Sequence, residues 1–174
     1  MLFRSIALFF GFVRPYKGLR ILMDAMGILK SEGSRIHLVV AGEFWDDQDD
    51  YENQIAELGI KDMVTIRAGY IPESEAGLYF EAADLFVAPY IGGTQSGSIK
   101  QAMSYGLPMV VTDVITDHFV LDYPGSLSVV KSGDPEAFAE KVKEMLLSKF
   151  DTKSKNGDVL SNSWQPLLDV LLRV

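Results

Sequence analysis

The sequence predicts a single α/β domain built on a doubly wound, parallel sheet of six strands with helices on both faces. Short apolar runs alternate along the chain with segments in which apolar residues recur every three or four positions, as in helices. The runs are apolar throughout, as expected of parallel strands that helices cover on both sides. A length of 174 residues fits one such domain.

The elements of the first half follow in order from these patterns. Strands are predicted at Leu8–Val13, Ile36–Gly42 and Met63–Ala68, each ending in a Gly or Pro signal or at a polar loop. A helix is predicted from Gly18, because its apolar residues recur at helical spacing until Gly33. A shorter helix is predicted at Tyr51–Leu58, after an acidic loop.

The second half repeats the alternation. Strands are predicted at Asp84–Pro89, Met109–Asp113 and Leu127–Val130, and helices after Pro72, at Ser98–Tyr105 and after Asp134. Residues 151–162 are polar and rich in Gly, Ser, Asn and Lys, which is typical of a linker, and an apolar helix containing Trp164 follows. We therefore expect a domain at residues 1–150, followed by a linker and C-terminal helix at residues 151–174.

Composition excludes several classes of function. The net charge of -8 argues against binding to nucleic acid, and association with a membrane is not indicated. No apolar run approaches the ~20 residues that a membrane span needs. The absence of cysteine excludes disulfides and thiol catalysis, and the two histidines make a metal site improbable. We expect no cofactor and a cytoplasmic location.

Two cations follow the first predicted strand. Arg14 and Lys17 are three residues apart at the start of the next helix, where free backbone N–H groups and the helix dipole favour an anion. Ligands of doubly wound sheets bind at the carboxyl ends of the strands. The pair is therefore a candidate phosphate site, and a solvated turn is the alternative.

A glycine-rich loop follows the fourth predicted strand and reaches the same sheet edge. Its residues Gly93, Thr94, Gln95, Ser96 and Gly97 let the backbone approach a ligand and add neutral hydrogen-bond donors before the next helix. The loop lacks the Gly-Lys-Ser/Thr of a P-loop, and a dinucleotide fingerprint would need more glycines than Gly11. Neither ATP hydrolysis nor NAD chemistry is supported.

In order and spacing, four segments resemble the C-terminal, donor-binding half of a group 1 (family 4) GT-B glycosyltransferase. The segments are Phe10–Leu19, Val39–Glu43, Asp84–Tyr90 and Thr94–Asp113, and the resemblance covers about residues 7 to 147. It implies a Rossmann-like domain that is one half of a GT-B fold. It also implies a retaining transferase, of the hexosyltransferase type, that uses a UDP-, GDP- or ADP-sugar.

The same resemblance implies roles for individual residues. Arg14 and Lys17 match the basic pair that grips the donor diphosphate and stabilises the leaving group, and Gly11 belongs to the same segment. The loop Gly93–Gly97 matches the segment that holds the diphosphate and the sugar. Gly69 and Tyr70 match the edge that cradles the nucleobase, and Gln101 matches the second Glu of a Glu-x7-Glu motif that binds the ribose.

Departures from the family pattern keep a second reading open. Gly93 stands in place of the first Glu, and Gln101 in place of the second, so a non-catalytic nucleotide-sugar-binding module is the alternative to an enzyme. Family transferases react in the cleft between two domains, so we expect the chain to be inactive without an N-terminal acceptor-binding domain. An NAD-type oxidoreductase is a weaker alternative that shares only the sheet class.

Some conspicuous residues are assigned structural roles. The acidic cluster Asp46–Glu52 lacks the Gly and bidentate Glu positions of a calcium loop. His118 follows the fifth strand but has no evident partner for catalysis. Phe44 and Trp45 are expected in core or interface packing rather than over a nucleobase.

Overall fold

A computed structural model describes residues 5–93 and 96–155 and confirms the predicted class, a six-stranded α/β sheet. The strands are β1 Ser5–Phe10, β2 Ile36–Gly42, β3 Val64–Ala68, β4 Leu85–Ala88, β5 Met109–Thr112 and β6 Leu127–Val130. The helices are α1 Leu19–Ser31, α2 Gln48–Glu57, α3 Glu73–Ala82, α4 Gly97–Ser104, α5 His118–Leu121 and α6 Pro135–Lys155. A 3-10 turn, Pro15–Lys17, precedes α1.

All neighbouring strands are parallel, in the order β3-β2-β1-β4-β5-β6. The chain winds outward from β1 to β3 in one direction and from β4 to β6 in the other. The winding reverses between β1 and β4, and a crevice opens at the carboxyl ends of these two strands. The loops that follow β1 and β4 therefore face one another across the crevice.

Two apolar layers cover the sheet because successive strand residues point to opposite faces. Phe9 and Val40 pack with α1, α2 and α6, while Leu8 and Val39 pack with α3, α4 and α5. The side chains of the inner strands β1, β2, β4 and β5 are mostly buried on both faces, which explains why these strands are apolar at consecutive positions.

Local sequence determines where most helices begin. Asp47, Ser96, Asp117 and Asp134 each accept a backbone N–H bond in the first turn of α2, α4, α5 and α6, respectively. α1 has no side-chain cap and begins instead at Gly18, which is left-handed. The short α5 was not among the predicted helices.

The first strand differs from its predicted span Leu8–Val13. It begins at Ser5 and ends at Phe10, because Gly11 has a φ of +101° and turns the backbone out of the extended conformation. Val13 is still buried, but as an isolated parallel bridge to Phe44 beyond the sheet. Its apolar character therefore reflects packing at the end of the strand.

Helix α6 continues to Lys155, so its last residues fall in the segment predicted as a linker. The remainder of that segment and the helix predicted around Trp164 lie outside the described residues, and the domain division remains a prediction. Among the residues that the structure describes, no helix is long and apolar enough to span a membrane.

Candidate functional site

The β1 and β4 loops are fastened together at the crevice. The carbonyl oxygen of Tyr16 accepts hydrogen bonds from the backbone N–H groups of Ile91, at 2.7 Å, and Gly92, at 3.2 Å. Gly18 has a φ of +68°, and a Cβ at this position would lie 1.9 Å from the Pro89 carbonyl oxygen. Only glycine allows the two loops to approach this closely.

Lys17 lies inside this junction. Only 7% of the residue is exposed, and its Nζ lies 5.6 Å from the centre of the Tyr90 ring. Nζ also approaches Gly11 so closely that a Cβ there would be 3.3 Å from it, with Ser98 Oγ 3.5 Å from the same point. Burial, together with the positive charge of Arg14, lowers the pKa of Lys17 to about 8.

Tyr90 organises the β4 side of the site. Its buried hydroxyl lies 2.8 Å from Ser96 Oγ and 3.5 Å from Ser98 Oγ, and the two serine oxygens are 3.0 Å apart. Ser96 Oγ also accepts the backbone N–H bond of Ile99 and so caps α4. The Tyr90 carbonyl accepts from the hydroxyls of Thr112 and Ser132. The hydroxyl cluster is thereby held at the N-terminus of α4.

Arg14 lies at the rim, in front of the 3-10 turn. Its guanidinium carbon is 4.0 Å from the centre of the Trp45 ring, and the residue is half-buried. Among the side chains that the structure describes, no carboxylate forms a salt bridge with Arg14 or Lys17. Two cations at one crevice that no described carboxylate pairs with form a site that attracts an anion.

The structure thus brings several sequence-predicted residues together. Gly11, Lys17 and Ser96 meet through Ser98 and Tyr90, and Gly97 begins α4 beside them. Gln101 is half-buried one turn further along α4. Thr94 and Gln95 lie outside the described residues.

Other predicted residues lie further along the same edge. Gly69 directly follows β3, and its N–H donates to the Gly42 carbonyl at 3.0 Å. Tyr70 is 74% exposed, as a surface that receives a planar group would be. β3 is separated from β1 by β2, so these two residues form a separate part of the edge.

Gly93 has a conformation that opposes a side chain. Its φ is +78°, and a Cβ would lie 3.2 Å from the Tyr16 ring. An acidic side chain at this position would therefore need both an unfavourable backbone conformation and movement of Tyr16.

The structural assignments are clear for the remaining conspicuous residues. Phe44 packs against Tyr51, whereas Trp45 is exposed and contacts Arg14. His118 is exposed at the start of α5. No cluster that could hold a metal ion occurs within the described part of the chain, and Asp47 in the acidic loop caps α2.

Two contributors to the site, Ser98 and Tyr90, were not singled out from sequence. A serine in the first turn of a helix and a tyrosine after a strand carry no specific pattern. Their positions on either side of the glycine-rich loop, Tyr90 just after β4 and Ser98 at the start of α4, were the available signal.

Comparison with known proteins identifies the family of this chain. The family model described as "Glycosyl transferases group 1" matches residues 4–148. The chain belongs to this family. The glycosyl transferase domain is 30% identical over 115 residues to mannosylfructose-phosphate synthase of Agrobacterium fabrum, covering 62% of this chain and 25% of that protein. The chain thus spans about a quarter of that relative's length.

Solved structures show the same fold. The C-terminal domain of the group 1 glycosyl transferase LpcC from Francisella tularensis superposes with a TM-score of 0.70 at 20% identity, over 96% of this chain and 86% of that one. Anabaena Alr3699/HepE in complex with UDP gives a TM-score of 0.69 at 18% identity, over 83% and 40% of the two chains. This glycosyl transferase domain therefore has the fold of one GT-B half-domain.

Proposed function

We propose that this chain is the donor-binding half of a retaining glycosyltransferase that takes its sugar from a nucleotide-diphosphate sugar. Membership of the group 1 glycosyl transferases supports transfer of a sugar. The related fold of HepE, which was solved with UDP, supports a nucleotide in the crevice. The resemblance described from the sequence supports the retaining outcome and the hexosyltransferase type.

One observation carries the donor assignment: the ammonium of Lys17 is buried at the crevice without a carboxylate partner in the described structure. Taking a charge out of water is unfavourable unless a partner compensates for it. A bound diphosphate would supply that partner. Its charge would also restore the pKa of Lys17 towards the ordinary lysine value.

The surrounding groups suit a diphosphate. α4 presents its N-terminus and the hydroxyls of Ser96 and Ser98 towards the Lys17 pocket, so N–H and O–H donors meet one cation there. Arg14 stands at the rim, and no carboxylate among the described residues forms a salt bridge with it. As the glycosidic bond breaks, negative charge grows on the leaving diphosphate, and Lys17 and Arg14 would stabilise it more strongly than in the ground state.

Calorimetric titration of the chain with UDP, GDP and ADP tests this proposal. We expect one of the three to bind, and Lys17→Ala to weaken that binding about ten- to hundredfold, because one charge-assisted contact contributes about 1.5 to 3 kcal/mol. Lys61→Ala is the matched control, since Lys61 is exposed and precedes β3 at the opposite edge of the sheet. Equal affinity of the wild type and Lys17→Ala would contradict the proposal.

The chain spans about a quarter of the length of its relative from Agrobacterium fabrum, so we propose that transfer requires an N-terminal acceptor-binding domain. The isolated chain should bind donor without transferring sugar to an acceptor. Measurable transfer by the isolated chain would contradict this part of the proposal.

A non-catalytic nucleotide-sugar-binding module is the second candidate, and Gly93 favours it. The family acid is replaced there by a residue whose backbone and neighbouring Tyr16 ring oppose a side chain. Supplying an N-terminal acceptor domain and assaying transfer separates the two functions. Sugar transfer by the assembled protein supports the enzyme, whereas nucleotide binding without transfer supports the module.

A further inference from the structure

Trp45 is a large aromatic side chain that remains exposed at the rim of the candidate site. Its exposed fraction is 58%, whereas the preceding residue, Phe44, packs against Tyr51 and the core. Alternation along an extended segment explains the difference, because successive side chains point in opposite directions. Trp45 therefore lies on the outer side of the β2 loop.

Backbone bonds fix this alternation beside Arg14. Val13 N–H donates to the Glu43 carbonyl at 2.8 Å, and Trp45 N–H donates to the Val13 carbonyl at 3.0 Å. These bonds join the β1 and β2 loops in a short parallel bridge. The indole is consequently set next to the residue that follows Val13, which is Arg14.

The indole and the guanidinium are in contact. The Arg14 guanidinium carbon lies 4.0 Å from the centre of the Trp45 ring, within the range of a cation–π interaction. Phe12 in turn contacts Trp45, with the centres of the two rings 5.3 Å apart in a T-shaped arrangement. The guanidinium thus has an aromatic support that is itself held in place by a neighbouring side chain.

An aromatic ring and a carboxylate differ in whether they leave the N–H groups of a contacted guanidinium free for a ligand. A ring contacts the face of the guanidinium, so its five N–H groups, which lie in the plane, remain free to bind a phosphate in bidentate geometry. A carboxylate would occupy those N–H groups and neutralise the charge. The Trp45 contact therefore holds Arg14 while leaving both its N–H groups and its positive charge available to a ligand.

We propose that Trp45 is a positioning residue that orients the Arg14 guanidinium for the donor diphosphate. The inference rests on the proposed function and assigns a specific role to a side chain outside the predicted site. Trp45 acts through Arg14, and it lowers the entropy lost when the long arginine side chain is fixed on the ligand.

Binding of UDP, inorganic pyrophosphate and uridine to single and double variants tests the role. We expect Trp45→Ala to weaken UDP and pyrophosphate binding about threefold to tenfold and to leave uridine binding unchanged. Trp45→Phe should keep most of the wild-type affinity for UDP and pyrophosphate, because phenylalanine retains an aromatic face. In an Arg14→Ala background, Trp45→Ala should have no further effect.

Two results would overturn the role. If Trp45→Ala weakens uridine binding as much as UDP binding, the indole contacts the base rather than positioning Arg14. If the loss is the same with and without Arg14, the indole acts independently of the guanidinium. Unfolding temperatures of all variants identify any loss that arises from a damaged fold.

A measurement without ligand separates failure of this inference from failure of the proposed function. The ring current of Trp45 should shift the Arg14 Hδ resonances upfield, and the shift should disappear in Trp45→Ala. Absence of the shift in the wild type overturns the inference even if UDP binds. Presence of the shift in a protein that binds none of UDP, GDP, ADP and pyrophosphate overturns the proposed function, and the positioning role falls with it.

Discussion

The crevice between β1 and β4 differs from other described parts of the surface in how its cations are compensated. At the edge where the strands begin, Lys30 bonds to Asp62 and to the Gly59 carbonyl, and Lys143 pairs with Glu32 at 2.6 Å. Outside the crevice at the edge where the strands end, Arg20 likewise pairs with Asp50 at 2.7 Å. Inside the crevice, Lys17 is buried and Arg14 rests on an indole. No carboxylate among the described residues pairs with either of these two.

The difference separates structural charges from functional ones. Exposed pairs such as Lys143–Glu32 contribute little to the stability of the protein, so removing one partner changes that stability little. An unpaired, buried ammonium lowers stability instead, so its retention needs a reason other than folding. The crevice that holds Lys17 and Arg14, which pair with no carboxylate among the described residues, is therefore the region we assign to the ligand.

The largest expected effect concerns the glycine that allows the Lys17 loop to contact the β4 loop. Gly18→Ala should lower the free energy of unfolding by about 4 kcal/mol, because the new Cβ would overlap a backbone carbonyl that has little room to move. Gly18 has a φ of +68° and places a Cβ 1.9 Å from the Pro89 oxygen. Urea denaturation measures the loss.

Gly33→Ala at the opposite edge is the matched control. Gly33 has a similar φ, +73°, but a Cβ there would meet nothing within 4 Å. Its substitution should cost only the backbone strain, about 1 kcal/mol. If the two variants lose equal stability, the close approach of the loops does not constrain the fold.

The next effect is a gain in stability from removing a functional charge. Lys17→Met should raise the free energy of unfolding at pH 7 by about 2 kcal/mol, because the ammonium, with its pKa lowered to about 8, is disfavoured in the folded state. Met keeps the apolar stem in place. Urea denaturation of the two proteins at pH 7 measures the gain.

The pH dependence of this gain has a definite sign. Between about pH 8 and pH 10.5 the unfolded lysine holds more protons than the folded one, so wild-type stability rises and the advantage of Lys17→Met shrinks. Lys30→Met, which breaks an exposed pair, should instead change stability by less than about 1 kcal/mol. A loss of stability in Lys17→Met at pH 7 would show that the ammonium is structural.

Sequence reasoning was most successful where periodicity and burial coincide. β2 and β6 have their predicted spans because each is mainly apolar and lies between clear breaks. β1 was placed too late because Phe12 and Val13 continue the apolar run beyond Gly11, and no residue pattern reveals the φ at that glycine. Four residues are too few to show helical spacing, so α5 was missed.

The sequence allowed the loops that form the candidate site to be predicted, but not the side-chain contacts within it. Arg14 and Lys17 could be placed at one edge of the sheet, because parallel strands bring their carboxyl ends together. Their separate environments could not be predicted, since they depend on tertiary contacts with Tyr90 and Trp45. Trp45 was expected in packing, and its position is instead determined by the short bridge between Val13 and Phe44.

The affinity for the nucleotide should also depend on pH through Lys17. In the free protein its pKa is about 8, and a bound diphosphate would raise it, so binding near pH 8 should take up a proton. Affinity should be fully present below pH 8 and fall by up to about tenfold per unit above it. Calorimetry from pH 7 to 9 with whichever of UDP, GDP and ADP binds, in buffers of different ionisation enthalpy, measures both quantities.

Lys17→Ala provides the control for this pH profile. Its residual affinity should show a flatter profile between pH 7 and 9, because the titrating group is gone. An unchanged slope in the variant would assign the proton to another group and would weaken the distinction between the crevice cations and the paired ones.

The smallest expected effect concerns the hydroxyl cluster that faces Lys17. Tyr90→Phe removes the hydroxyl 2.8 Å from Ser96 Oγ and leaves the ring beside Lys17. Ser96 retains its cap bond to Ile99, so the loss of stability should be about 1 kcal/mol. Nucleotide affinity should fall about threefold, because Ser96 and Ser98 are no longer oriented towards the pocket.

Tyr123→Phe distinguishes this orienting role from the loss of any tyrosine hydrogen bond. The Tyr123 hydroxyl donates to the Leu107 carbonyl at 3.2 Å, near the beginning of β5. Its removal therefore deletes a tyrosine hydrogen bond at the end of the sheet opposite to the candidate site. It should lower stability to a similar degree and leave nucleotide affinity unchanged. If both variants bind nucleotide as tightly as the wild type, the Tyr90 hydroxyl contributes to folding alone. The groups of the crevice that bind nucleotide are then confined to Arg14, Lys17 and the backbone around them.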